Sequence, residues 1–177
     1  MRRYFASGLA AAFLVCGAGI HAQQPAPSAA RPPDPKAADT PIESNWITQC
    51  GSKTRQGALE CSVRQSVIKT DTGQTVAMFS VRIPAETRSP VMMIQLPLGL
   101  YLPSGVELQV DDNKVIALPL QTCEASGCYV GAPVPAELAE QLRRGTLLRI
   151  GFKNLAETKI DVPMPLAGFA AAFDAIK

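Results

Sequence analysis

Histidine is almost missing from this 177-residue chain: the single one, His21, falls inside an N-terminal segment with the form of an export leader. A domain without imidazole has no Ser-His-Asp or Cys-His couple and no histidine metal ligand, which closes the commonest routes to nucleophilic and metal-assisted catalysis. No Gly-x-Ser-x-Gly motif occurs, and Gly99, Gly105, Gly127 and Gly131 are scattered across turns instead of forming a phosphate-binding loop. Aromatic residues make up only 6% of the chain. Net charge is lacking too: with Arg2 and Arg3 taken from seventeen basic residues, fifteen remain against fifteen acidic ones. A neutral chain has no long-range field to gather nucleic acid or anionic lipid, so a nucleic-acid partner is not expected. Beyond the leader no apolar run is long enough to cross a bilayer as a helix.

What is present sets the compartment. Arg2 and Arg3 form a basic start, residues 4–20 are apolar or small, and His21-Ala22 ends in a small residue, so residues 1–22 read as a signal peptide cut after Ala22. A cut after Ala18 and an uncleaved anchor are the alternatives. Lipidation at Cys16 is disfavoured by the bulky Val15 before it. Residues 23–41 carry six prolines and no large apolar side chain, which predicts a disordered, extended arm. Residues 42–177 then form one domain.

Within that domain the dominant period is two. Leu59, Cys61, Val63 and Val67 share one face of a first long strand ending at Lys69. Thr70-Asp71-Thr72-Gly73 turns the chain, and Ala77, Phe79, Val81 and Ile83 continue the apolar face on a returning strand. Further strands are expected over 91–96, 106–110, 114–120, 146–152 and 157–163, with Asp111-Asp112-Asn113 and Lys153-Asn154-Leu155-Ala156 as hairpin turns. Pro135, Glu137, Leu138, Leu142, Arg143, Arg144 and Gly145 mark a helix over 135–144, and 169–176 reads as a terminal helix. Seven or so short strands without βαβ alternation predict a mainly β fold: an antiparallel sandwich or barrel with one or two short helices.

Four cysteines follow the leader: Cys50, Cys61, Cys123 and Cys128. Three connectivities are open, and neighbour pairing, Cys50 with Cys61 and Cys123 with Cys128, is the most economical. A Cys₄ zinc site would need C-x₂-C spacing, and a redox pair would need a thiol activated by a nearby cation or helix start, so structural disulfides are expected and no metal or cofactor. Glu86, Asp111, Asp112, Glu124 and Asp161 are raw material for a carboxylate hydrolase, and Asp111-Asp112-Asn113 for weak calcium binding, but that triplet has the form of a hairpin turn. Lys53, Arg55, Arg64, Lys69, Arg82 and Arg88, opposed by Glu60, Asp71 and Glu86, read as a solvated strand face, with an anionic glycan or phosphate contact as the alternative.

Several ordered motifs together carry a resemblance. They are Trp-x-x-x-Cys at Trp46 and Cys50, Cys-Ser-Val-x-Gln at 61–65, and the run QLPLGLYLPSGVELQVD at 95–111. Pro-Leu-Gln-Thr-Cys at 119–123, Gly127-Cys128 and LAGFAAAFD at 166–174 follow. From Trp46 onward the chain resembles the invasion-associated locus B proteins of Gram-negative bacteria. The resemblance implies an exported, non-enzymatic protein named for a part in host-cell invasion, and it brings no catalytic residues.

Pro97 and Pro103 remove ladder donors and Gly99 and Gly105 ease turning, so residues 97–105 can carry the chain from one sheet to another. The functional alternative is an interaction loop of Leu98, Leu100, Tyr101 and Leu102, an exposed apolar patch. The expectation is a periplasmic or secreted envelope protein, with outer-membrane association left open, that binds an unknown envelope or host-surface protein. The runner-up is a periplasmic small-ligand or glycan carrier with a pocket between the sheets.

Overall fold

The computed structural model describes residues 45–52 and 54–177; the expected leader (1–22) and arm (23–41) lie outside the described residues. Ten strands and two helices follow in the order β1 (Ile47–Gly51), β2 (Glu60–Ile68), β3 (Thr75–Ile83), β4 (Val91–Leu96), β5 (Val106–Val110), β6 (Ile116–Leu118), β7 (Thr122–Glu124), β8 (Gly127–Pro133), α1 (Ala136–Arg144), β9 (Leu147–Lys153), β10 (Lys159–Pro165) and α2 (Phe169–Asp174). A single 3₁₀ turn, Leu102–Ser104, precedes β5. All pairings are antiparallel, in a six-stranded sheet β1-β2-β3-β4-β8-β7 and a four-stranded sheet β10-β9-β5-β6.

Alternation builds the core. Val63 on β2, Ala77, Phe79 and Val81 on β3, Met92, Ile94 and Leu96 on β4 and Cys128 and Val130 on β8 turn to one side of the large sheet. They join Val106, Leu108, Val110, Leu148, Ile150 and Phe152 of the small sheet in one buried cluster. Full burial of each such side chain contributes about 1.5–3 kcal/mol, which is why register is held so firmly. α1 adds Leu138 and Leu142, four apart on one face, with Glu137 in its first turn and Arg143 and Arg144 in its last. Gly145 ends the helix with φ −71°, not left-handed; an added Cβ would sit 2.5 Å from Val110 Cγ1, so space, not conformation, calls for glycine.

Trp46 ties the start of β1 to the far end of the chain. Its Nε1 donates to the Pro165 carbonyl at 3.1 Å, and its ring meets Phe169 edge-on at 4.8 Å and Phe79 at 6.2 Å. Phe169 in turn stacks on Phe173 of α2 at 5.4 Å. The disulfides are Cys50–Cys61 and Cys123–Cys128, each joining residues directly opposite in a ladder. Each fastens an outermost strand of the six-stranded sheet, β1 at one side and β7 at the other. Closing loops of these lengths stabilises the fold by about 3 and about 2 kcal/mol.

Four departures from the sequence reading have simple causes. β7 and β8 were not anticipated, because Gly131 and Pro133 interrupt the Cys128–Val130 alternation. β10 runs beyond the expected end at Pro163 to Pro165, because both prolines sit on an outermost strand where a missing N–H costs no ladder bond. Leu59 precedes β2 and is exposed, because the loop before it carries no pairing partner to hold it inward. Gln65 takes an inward position opposite Phe79; it is 3% exposed and its Oε1 has no hydrogen-bond partner among the described residues.

Candidate interaction surface

The crossover from β4 to β5 changes sheets, as its prolines and glycines suggested. Its path is held by Ser104 N–H and Ser104 Oγ donating to the Tyr101 carbonyl at 3.3 and 2.9 Å, and by Gly105 N–H donating to the Leu102 carbonyl at 3.1 Å. Gly105 has φ +64° and an added Cβ would lie 2.6 Å from the Leu118 carbonyl oxygen, so both geometry and space require glycine.

The four residues of the expected interaction loop separate here. Leu98 and Leu102 are exposed, at 55% and 52%, and Tyr101 is half-buried. Leu100 is a correction: it is 6% exposed and belongs to the core, because it forms an antiparallel bridge to Asn154 that turns its side chain inward. That bridge brings in a residue the sequence reading passed over. Leu155, 74% exposed, sits at the β9–β10 turn, and its N–H donates to the Gly99 carbonyl at 3.2 Å while Tyr101 N–H donates to Lys153. The turn itself is stiff. Asn154 Oδ1 accepts from the N–H groups of Ala156 and Thr158, both at 3.0 Å, and Asn154 N–H donates to the Thr158 carbonyl at 3.1 Å. The Leu155–Gly99 bond therefore draws together two loops with internally bonded backbones, one exposing Leu98 and Leu102 and the other Leu155. An apolar residue in the middle of a hairpin turn, where polar residues are the norm, was the available signal.

Side chains of both sheets share one buried cluster, in the space that the ligand-carrier reading assigned to a pocket. A groove of about 640 Å³ opens on the outer face of the six-stranded sheet, lined by Met93, Tyr129, Gly131, Thr122, Arg82 and Glu124 among others. Gln121 is folded across Gly131, taking its N–H at 3.0 Å and donating to its carbonyl at 2.7 Å.

Two of the carboxylates considered for chemistry, Asp111 and Asp161, have structural work. Asp111, at φ +47°, accepts from Thr146 N–H through Oδ1 and Oδ2 at 3.2 and 3.0 Å and from Leu147 N–H at 2.9 Å, and its carbonyl accepts from Arg149. Asp161 and Glu107 both pair with Lys159, at 3.5 and 2.8 Å; the hydrogen bond to Glu107, then the Asp161 charge, raise the Lys159 pKa. Glu60 lies 3.6 Å from Arg82, so the basic strand face is partly neutralised. Arg143 makes a bidentate pair with Asp174 at 2.6 and 3.0 Å; this hydrogen bonding raises the arginine pKa and holds the Asp174 carboxyl below its ordinary range, helped by Lys177. Among the described residues no group of three or more Cys, His, Asp or Glu is placed to hold a metal ion, and no helix is long and apolar enough to cross a membrane.

Comparison with known proteins gives the same kinship as the motifs. Two invasion protein B homologues of Brucella abortus, from strain 2308 and from biovar 1 strain 9-941, are each 28% identical over 134 residues, 75% of this chain and 76% of theirs. The crystal structure of invasion associated protein b from Bartonella henselae superposes with a TM-score of 0.64 at 25% identity, over 74% of this chain and 89% of that one. The model of the invasion associated locus B (IalB) family matches residues 46–177, and the chain belongs to that family.

Proposed function

We propose that this chain is an exported envelope protein that acts by contact and not by turnover, binding an envelope or host-surface protein through Leu98, Leu102 and Leu155. The single observation that carries this reading is the Leu155–Gly99 hydrogen bond, which draws the loop of exposed Leu155 to the loop that exposes Leu98 and Leu102. Side chains of this size remain in water at a cost unless something covers them. Two disulfides support an oxidising compartment, hence the periplasm or the exterior. A part in host-cell invasion is what the relatives' names carry, and it is the role proposed for the contact.

A photo-cross-linking residue at Leu155 in living cells tests this, with the adducts identified by mass spectrometry. One discrete protein adduct is expected from Leu155, and none from the same probe at Glu137 on the exposed face of α1. Indiscriminate labelling from both positions would rule out the patch as the contact. A second reading, a glycan or small-ligand carrier, now rests on the outer groove of about 640 Å³ instead of an inner pocket. A panel of sugars and small metabolites raising the melting temperature of wild type but not of Tyr129→Ala would favour it.

A further inference from the structure

The four outermost strands of the two sheets are not alike. β10 carries the charged Lys159 and Asp161 and then Pro163 and Pro165, which have no N–H to offer, at every second position. β6 and β7 are three residues long, and β7 ends in Glu124. These are the ordinary devices that keep one sheet from pairing with another. β1, Ile47–Gly51, has none of them: no proline, no charge, no bulge in its ladder, five residues all exposed, and no hydrogen bond on its outer edge among the described residues.

From this contrast we propose that β1 is the self-association edge of the protein, pairing antiparallel with β1 of a second copy about a two-fold axis to make one continuous sheet. The proline-rich residues 23–41 of the chain itself are a poor occupant, because prolines remove the donors a ladder needs.

The register follows from the backbone. Cys50 and Cys61 lie 4.0 Å apart at Cα, the close spacing of a non-hydrogen-bonded pair, so the N–H and C=O groups of Thr48 and Cys50 point away from β2. Overlapping all five residues of two copies sets Gln49 opposite Gln49 and Thr48 opposite Cys50. That is the register in which the outward groups of both strands meet. It also sets Ile47 opposite Gly51 on the outer face. Ile47 is 47% exposed, and beside Gly51 lies an open groove of about 280 Å³ over Glu60, Ser62 and Arg82. Gly51 itself has no positive φ, and an added Cβ would meet nothing within 4 Å, so its own fold does not require glycine. The missing side chain leaves room for the isoleucine of the second copy. An uncharged edge on a neutral chain sets no repulsion between the two.

The test is native mass spectrometry and sedimentation of the oxidised, purified protein over a concentration series at low ionic strength. Wild type is expected to pass from monomer to dimer as concentration rises. Gln49→Lys and Gln49→Glu place like charges opposite each other across the axis, so each alone loses dimer severalfold, while an equimolar mixture regains it as the heterodimer. Gly51→Leu keeps the wild-type melting temperature and loses the dimer. Wild type that stays monomeric throughout, or a dimer in which the two Gln49 variants behave as wild type and show no preference for each other, overturns the proposal. Leu98, Leu102 and Leu155 take no part in this contact, so its failure and the failure of the leucine surface are separate results.

Discussion

The carboxamide of Gln121 replaces a missing strand beside Gly131: its oxygen takes the glycine N–H and its nitrogen donates to the glycine carbonyl. β7 pairs with β8 only as far as Tyr129, and Gln121 N–H still reaches the Tyr129 carbonyl at 3.0 Å, so the side chain continues the ladder by one residue where the main chain leaves it. Pro133 ends the need for more, since it has no N–H. Gln121→Ala is expected to lower stability by about 1–2 kcal/mol, and Gln121→Glu, which keeps the acceptor but loses the donor, by less. Hydrogen exchange at the Gly131 amide reads this directly: faster in Gln121→Ala, with the Val130 amide little changed. Equal protection of Gly131 in both proteins would show the clasp to be dispensable.

Gln65 is the opposite case, a buried amide whose oxygen has no partner among the described residues. An unmet buried acceptor carries a desolvation cost of about 1–3 kcal/mol, whereas an apolar group of the same shape carries none. Gln65→Met is therefore expected to raise the melting temperature, an unusual sign for a core substitution. A drop of the size seen for ordinary core changes would mean that the amide is satisfied in solution.

Asp111 and Asp112 are neighbours in sequence with different duties. The first accepts three hydrogen-bond contacts from the N–H groups of Thr146 and Leu147, and the second is exposed and takes no part in them. Asp111→Ala should cost about 2–3 kcal/mol in urea unfolding, with Asp112→Ala within about 0.5 kcal/mol of wild type. Equal effects, or an Asp112 effect that appears only with added calcium, would revive the ion-binding reading of this turn.

The pair of Arg143 and Asp174 joins α1 to α2. Because the folded Asp174 carboxyl is held below its ordinary range, its contribution is present above the unfolded value, about pH 4, and is lost as pH falls through the lower folded value. Melting curves of wild type and Asp174→Asn should converge as pH falls from about 5 towards 2, and should already be close at any pH in high salt, since the pair is exposed to solvent. A gap that stays constant down to the acid limit would assign the effect of the substitution to something other than charge.

Alternation along the chain was enough to read most of the architecture. Val63, Phe79, Val81, Val106, Leu108 and Leu148 turn inward as a period of two requires, Leu138 and Leu142 share a helical face, and the cysteines pair with their near neighbours. These are consequences of short-range geometry, in which each residue's direction depends on its own strand or helix. Where glycine and proline interrupted the pattern, as at Gly131 and Pro133, the signal failed, because propensity does not know which strands a segment will pair with.

The surface depended on distance in sequence. The residues themselves determined a neutral, mainly β domain, the disulfide cysteines and the family likeness. Only the tertiary structure decided that Leu100 goes into the core while Leu98 and Leu102 stay outside, and that Leu155, more than fifty residues later, joins them. The physical reason is that side-chain direction is a local property of the backbone, whereas the meeting of two loops is set by which strands pair and how the sheets stack.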